Sequence, residues 1–140
     1  MRVGSFNCRG LRLGSSVGDR ARRVAVDNLL LKCDILCLQE TFLPKQDLGL
    51  LNSFNDTFHG AGESTTDLSM GIVRGRIAGG VAVLWHNKLD TVISVIKLEV
   101  DWCIAVHYKS NNREFIVLNV YTPYECKENE DGEETMKINT

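Results

Sequence analysis

Proline is scarce in this 140-residue chain, with two in all against twelve glycines, which favours strands and tight turns. Long apolar runs are missing. None approaches the roughly 18–20 residues a membrane-spanning helix needs. The opening stretch MRVGSFNCRG is too polar for a secretory signal. No Cys-x-x-Cys pair occurs among the five cysteines, Cys8, Cys33, Cys37, Cys103 and Cys126. An odd number without a signal argues against a disulfide scaffold. Cys33 and Cys37 would stand about 13 Å apart along a strand, too far to share a zinc ion. A reducing, intracellular compartment is the expectation. A strong charge of one sign is also absent, since the formal net charge is −2. A near-neutral chain gives no electrostatic case of its own for nucleic-acid binding.

What is present is an ordinary globular mix, 44% hydrophobic and 24% charged. That excludes a disordered chain, a collagen and a coiled-coil rod. The charge is uneven: residues 1–32 carry +5, residues 33–100 carry −3, residues 101–124 balance, and residues 125–140 carry −4. The basic start reads as a solvated helix face, with contact to phosphate as the alternative.

Residues 2–8 read as a short strand, followed by a turn with Gly10, Gly14 and Gly18. Asp19 is the expected N-cap of a helix over residues 20–32. Its apolar face would hold Ala21, Val24, Ala25, Leu29 and Leu31, with Arg20, Arg23 and Asp27 opposite. Within Cys33–Glu40 the run after Asp34 is continuously apolar until its last two residues, as in a strand covered on both faces. Strand, helix and strand suggest a βαβ-like unit. Residues 44–76 are expected to be long loops with about one helical turn.

Strands are then expected at Ala78–Trp85, Thr91–Val100, Trp102–Tyr108 and Arg113–Tyr121. The last two form a hairpin around Ser110-Asn111-Asn112. Within it, Phe115, Val117, Asn119 and Tyr121 alternate against Ile116, Leu118 and Val120. Pro123 stops that strand, and residues 125–140 read as an acidic, disordered tail after a partial domain at 1–124.

Three apolar strands end in polar residues of catalytic type: Asn7, then Gln39-Glu40, then Asn119 and Tyr121. Sites in open α/β sheets form at the carboxyl ends of strands. A carboxylate, an amide and a phenol there would suit a hard cation and a phosphate. Each also has a bland reading, as turn former, solvated loop residue or core edge. Arg9, Arg74 and Arg76 read as solvated charges before phosphate contacts, and Trp85 and Trp102 as packing residues. Gly79-Gly80 opens a strand and lacks the pattern of a phosphate-binding loop.

Four segments in order, SFNCRGL (Ser5–Leu11), ILCLQETFL (Ile35–Leu43), GGVAVLW (Gly79–Trp85) and LNVYTPY (Leu118–Tyr124), resemble the endonuclease/exonuclease/phosphatase family. The wording is most similar to the apurinic-like endonuclease domains of LINE-type, non-LTR retrotransposons. The resemblance spans residues 2 to 124 and implies the N-terminal half of a DNase I-like, two-sheet α/β sandwich. It implies that Glu40 binds a catalytic divalent metal, Mg²⁺ or Mn²⁺. It implies that Asn7 orients that metal and that Tyr121 stands beside the scissile phosphate. The implied reaction is metal-assisted hydrolysis of DNA phosphodiesters, in a setting compatible with the nucleus.

The family's later GDxN and SDH motifs do not occur in the sequence, and His59, His86 and His107 do not follow Ser-Asp. Impaired catalysis is therefore expected. The rivals are a silent or purely binding remnant, and a phosphatase of inositol lipids or sphingomyelin.

Overall fold

A computed structural model of the chain describes residues 1–11, 17–70, 79–122, 124–128 and 134–138. Gly14, Arg74, Arg76, Ala78 and Pro123 lie outside the described residues. The first strand, β1 (Val3–Asn7), leads through helix α1 (Val17–Leu30) to β2 (Ile35–Gln39). β1 and β2 are parallel neighbours, with Val3 opposite Ile35 and Asn7 opposite Gln39. β3 (Phe58–Glu63) and β4 (Val81–His86) complete a four-stranded sheet of order β1-β2-β4-β3. β2 and β4 are antiparallel, with Gln39 opposite Val81.

A second, antiparallel sheet follows as β5 (Ile93–Ile96), β6 (Cys103–Lys109) and β7 (Glu114–Val120). The remaining strands, β8 (Tyr124–Glu128) and β9 (Glu134–Ile138), pair with each other within the acidic stretch. The expected two-sheet α/β architecture is present.

The central strands β2 and β4 of the first sheet are covered on both faces, whereas Val3 of the edge strand β1 is 49% exposed. Leu36, Leu38, Ala82 and Leu84 meet Val26 and Leu30 of α1, together with Leu51, Phe54 and Phe58. The opposite face, with Ile35, Cys37, Val81, Val83 and Trp85, meets Ile104 and Val106 of β6 and Ile93 of β5. Side chains alternate along a strand, so a strand buried on both sides must be apolar at every position. Ile35, Leu36, Cys37 and Leu38 satisfy that condition, and all four are buried.

The helix differs from expectation in start and phase. It begins at Val17, so Asp19 lies in its first turn, where a carboxylate favours the helix dipole, and not at the cap. Val26 and Leu30 are buried, while Val24 and Leu31 are exposed. Arg23 and Asp27 face the protein. The Arg23 guanidinium donates to the Phe54 carbonyl at 3.0 Å and sits over the Phe54 ring. Asp27 Oδ1 accepts from Asn55 Nδ2 at 3.1 Å. These polar anchors fix a rotation that hydropathy alone does not specify.

The segment expected to be loops is more ordered. Residues Lys45–Ser53 form a 3₁₀ helix, Leu68–Met70 form another, and FHGAGE (Phe58–Glu63) is strand β3. This strand has no β-branched residue, and its pairing with β4 overrides weak propensity. Its glycines serve close packing: a Cβ on Gly62 would meet Leu51 Cδ1 at 2.8 Å.

Candidate active site

The parallel register of β1 and β2 brings Asn7 beside Gln39, one residue before Glu40. β7 crosses from the other sheet. Its Asn119 Oδ1 accepts from Gln39 Nε2 at 2.8 Å. Two residues on, past the end of β7, Tyr121 Oη donates to Glu40 Oε1 at 2.9 Å. The three polar strand ends therefore meet at one end of the sandwich. Asn7 is the most exposed of them, and its Oδ1 accepts from the Arg9 backbone N–H at 3.2 Å, an Asx-type turn.

Unusual backbone gathers at this end. Arg9, Glu40 and Phe42 have φ of 46°, 53° and 55°, in the left-handed region that costs non-glycine residues about 1 kcal/mol or more each. Gly10, Gly79 and Gly80 also have positive φ. The conformations are locked by hydrogen bonds. Gly10 N–H donates to the Glu40 carbonyl at 2.7 Å, and Phe42 N–H donates to the Gly79 carbonyl at 3.0 Å. A Cβ on Gly80 would collide with Thr41 Oγ1, and one on Gly10 would meet the Phe42 ring at 2.9 Å. Gly79-Gly80 therefore opens β4, as expected, and also frees room beneath the Glu40 turn. The strained turn holds Glu40 at the rim instead of letting β2 run on.

Cys8 lies behind this turn, with its Sγ donating to the carbonyls of Gln39 at 3.2 Å and Glu40 at 3.4 Å. Burial pushes its thiol up to about 11, and the nearby Glu40 charge adds to the effect. It stays protonated at neutral pH, so it offers no nucleophile.

The donor set at the rim is one carboxylate and one amide. No group of three or more His, Cys, Asp or Glu side chains that could cage a metal is found among the described residues. One carboxylate suits a magnesium-type ion whose other positions are taken by water and phosphate oxygens. It does not suit a closed structural metal site.

A family model described as the Endonuclease/Exonuclease/phosphatase family matches residues 4–135. The chain belongs to the endonuclease/exonuclease/phosphatase family. Solved structures share its fold. The AP endonuclease LMAP from Leishmania major is 14% identical with a TM-score of 0.56, covering 87% of this chain and 39% of its own. A 3′ phosphatase from Neisseria, bound to a product DNA hairpin, is 19% identical with a TM-score of 0.52, covering 87% and 41%. The human Nocturnin catalytic domain, with a bound sulfate anion, is 19% identical with a TM-score of 0.51, covering 84% and 48%. The chain thus spans less than half the length of these structural relatives. No curated protein matches it in sequence.

Within this family member, the histidines are occupied elsewhere. His59 lies in β3, not in a loop, and its Nδ1 bonds Asp90, which also accepts from Trp85 Nε1 at 2.8 Å. Ile35 and Trp85 pair at the opposite end of β2 from Gln39, so this cluster stands about 13 Å away along the strand. His86 Nδ1 accepts from the Lys88 backbone N–H, and His107 Nε2 bonds Glu114 at 2.7 Å. Trp85 is buried, as expected, whereas Trp102 is 38% exposed. Among the described residues, no helix is long and apolar enough to cross a membrane.

Asn119 is a polar strand end to which the sequence alone attaches no role. The signal in the sequence is an amide within the apolar run FIVLNVY, which must find buried partners once its face turns inward. In the sequence the glycine pair marks only a strand start, because positive φ and close approach become visible only with the neighbouring strand in place.

Proposed function

We propose that the Glu40 rim is the metal-holding part of a centre for phosphodiester hydrolysis, acting on DNA in the manner of retrotransposon-type endonucleases. The observation that carries this reading is the 2.9 Å hydrogen bond from Tyr121 to Glu40, which joins the ends of two different sheets. The motif wording around Asn7, Glu40 and Tyr121 supports the retrotransposon type.

Glu40, with Asn7 beside it, would hold Mg²⁺ or Mn²⁺. The ion would polarise a phosphoryl oxygen and stabilise the leaving 3′ oxygen. The Asx turn keeps the Asn7 amide at the rim, and the left-handed turn keeps the Glu40 carboxylate there. Tyr121 Oη is aimed at this carboxylate. A phosphate arriving at the rim offers an acceptor of the same kind, so the phenol can turn to oxygen that gains charge in the transition state.

A second reading, binding of nucleic acid without turnover, is favoured by the engagement of His59, His86 and His107 away from the Glu40 rim. Groups that orient a nucleophile or move its proton are each worth about 10²–10⁴-fold in rate.

Nicking of supercoiled plasmid in Mg²⁺ tests the two readings. Hydrolysis predicts nicking that is lost in Glu40→Ala and falls about a hundredfold in Tyr121→Phe. Salt-dependent DNA binding with no nicking by either protein supports the second reading. Equal nicking by wild type and Glu40→Ala overturns the assignment of the site.

A further inference from the structure

Asn119 sits on the inner face of β7, two residues before Tyr121, and is only 3% exposed. Its neighbours on that face, Val117 and Phe115, pack into the apolar layer between the sheets. A buried amide in such a place is costly unless its hydrogen-bonding groups find partners. They do. Asn119 Nδ2 donates to the Leu38 carbonyl at 2.9 Å and to the Ala82 carbonyl at 2.8 Å. Asn119 Oδ1 accepts from Gln39 Nε2 at 2.8 Å. Gln39 Nε2 also donates to Ser5 Oγ at 3.0 Å, which extends the network to β1. One side chain of the second sheet thus grips β2 and β4 of the first.

The place of this grip matters. Leu38 and Gln39 are the two residues directly before Glu40, and Ala82 faces Leu38 across the sheet. Apolar contacts between sheets do not specify register, since they are non-directional. Three directional hydrogen bonds do. A slide of one residue along β7 would move the amide about 3.3 Å and turn it to the other face.

We propose that Asn119 is a positioning residue: its buried amide locks β7 onto β2 and β4, and so sets the Tyr121 hydroxyl against the Glu40 carboxylate. The inference rests on the functional reading of Glu40 and Tyr121 given above. Asn119 itself reaches no substrate. The carbonyls it grips require a donor pair of fixed geometry, which an aspartate in its ionised form lacks.

The test is a double-mutant cycle on the intact chain, read by urea unfolding, beside plasmid-nicking kinetics. Removing the Tyr121 hydroxyl with Tyr121→Phe should raise the unfolding constant about fivefold when Asn119 is present. In an Asn119→Leu background, the same change should raise it less than about twofold. In nicking, Asn119→Leu should lower kcat about tenfold or more with little change in KM, because the rim is displaced and not removed.

An equal, fivefold effect of Tyr121→Phe in both backgrounds would show a merely structural Asn119 and overturn the proposal. If Asn119→Leu does not fold, Asn119→Ser replaces it in the cycle. Failure of both to fold would make Asn119 a folding determinant alone, which also overturns it. Wild-type protein that does not nick refutes the hydrolytic reading, while the cycle still decides the role of Asn119.

Discussion

The two sheets of this protein are built from similar residues and treated differently by the fold. In the first, Leu36 and Leu38 meet a helix while Ile35 and Cys37 meet the second sheet, and every one of these positions is buried. In the second, the first sheet covers the inner face alone; on the other face Cys103 and Ala105 of the central strand β6 are buried, while β7 is open. Ile116, Leu118 and Val120 of β7 point the other way and are 60%, 58% and 39% exposed. Apolar composition therefore reports what a strand can bury, and the layers around it decide what it does bury. The candidate active site belongs to neither sheet alone. It lies where the covered sheet ends and where β7, the strand with one open face, reaches across to it.

The contrast predicts graded effects of substitution. The largest is expected for Leu84→Ala in β4, whose side chain is fully buried under the helix layer. It should cost about 3–5 kcal/mol in urea unfolding, the range for deleting a buried leucine side chain. A cost below about 1 kcal/mol would mean that the first sheet is less tightly covered than it looks.

Next comes Gly80→Ala, where φ of 92° and contact with Thr41 both oppose a side chain. About 1–3 kcal/mol is expected from the backbone alone. Any nicking activity should fall with it, because the Glu40 turn rests on this strand start. Equal stability of the two proteins would remove the close approach from the account of the site.

A smaller effect tests the entry to the first sheet. Asp34 accepts from the Arg2 backbone N–H at 2.8 Å and pairs with Lys88 at 3.0 Å. The Arg2 N–H first, then Lys88, hold its carboxyl below the ordinary carboxylate range. Its contribution is therefore present above pH about 4 and lost as pH falls through the lowered value. Asp34→Asn should cost about 1 kcal/mol at pH 7, and the gap to wild type should close in acid. A gap that is constant from pH 7 to pH 3 would rule out the charged interaction.

The smallest stability effect is expected for Leu118→Ser on the open face of β7. It should stay within about 0.5 kcal/mol and reduce self-association in sedimentation measurements. A loss near that of Leu84→Ala would show that the second sheet is covered on both faces after all.

Much of this was legible in the residues. CDILCLQE reads as a doubly covered strand because no polar residue falls between Asp34 and Gln39. FIVLNVY divides by strand alternation into Phe115, Val117, Asn119 and Tyr121 against Ile116, Leu118 and Val120, but its near-uniform apolarity does not tell which face is inner. The strand ends bearing Asn7, Glu40 and Tyr121 could be marked in advance, since polarity appears abruptly after apolar runs. The strand FHGAGE could not, because two glycines and a histidine carry no β signal until β4 lies beside them. Nor could the rotation of α1, which depends on Arg23 and Asp27 finding Phe54 and Asn55.

By itself, then, the sequence determined the order of β1, α1, β2, β4 and the β6–β7 hairpin, the double burial of β2 and the polar residues at three strand ends. These are properties of local pattern, carried by side chains within a few positions of each other. Tertiary structure alone decided that those ends meet, that Tyr121 bonds Glu40 across 81 positions and that Asn119 grips two strands of the other sheet. Register between sheets is set by directional hydrogen bonds between distant residues, and no local pattern encodes which distant carbonyl an amide will find.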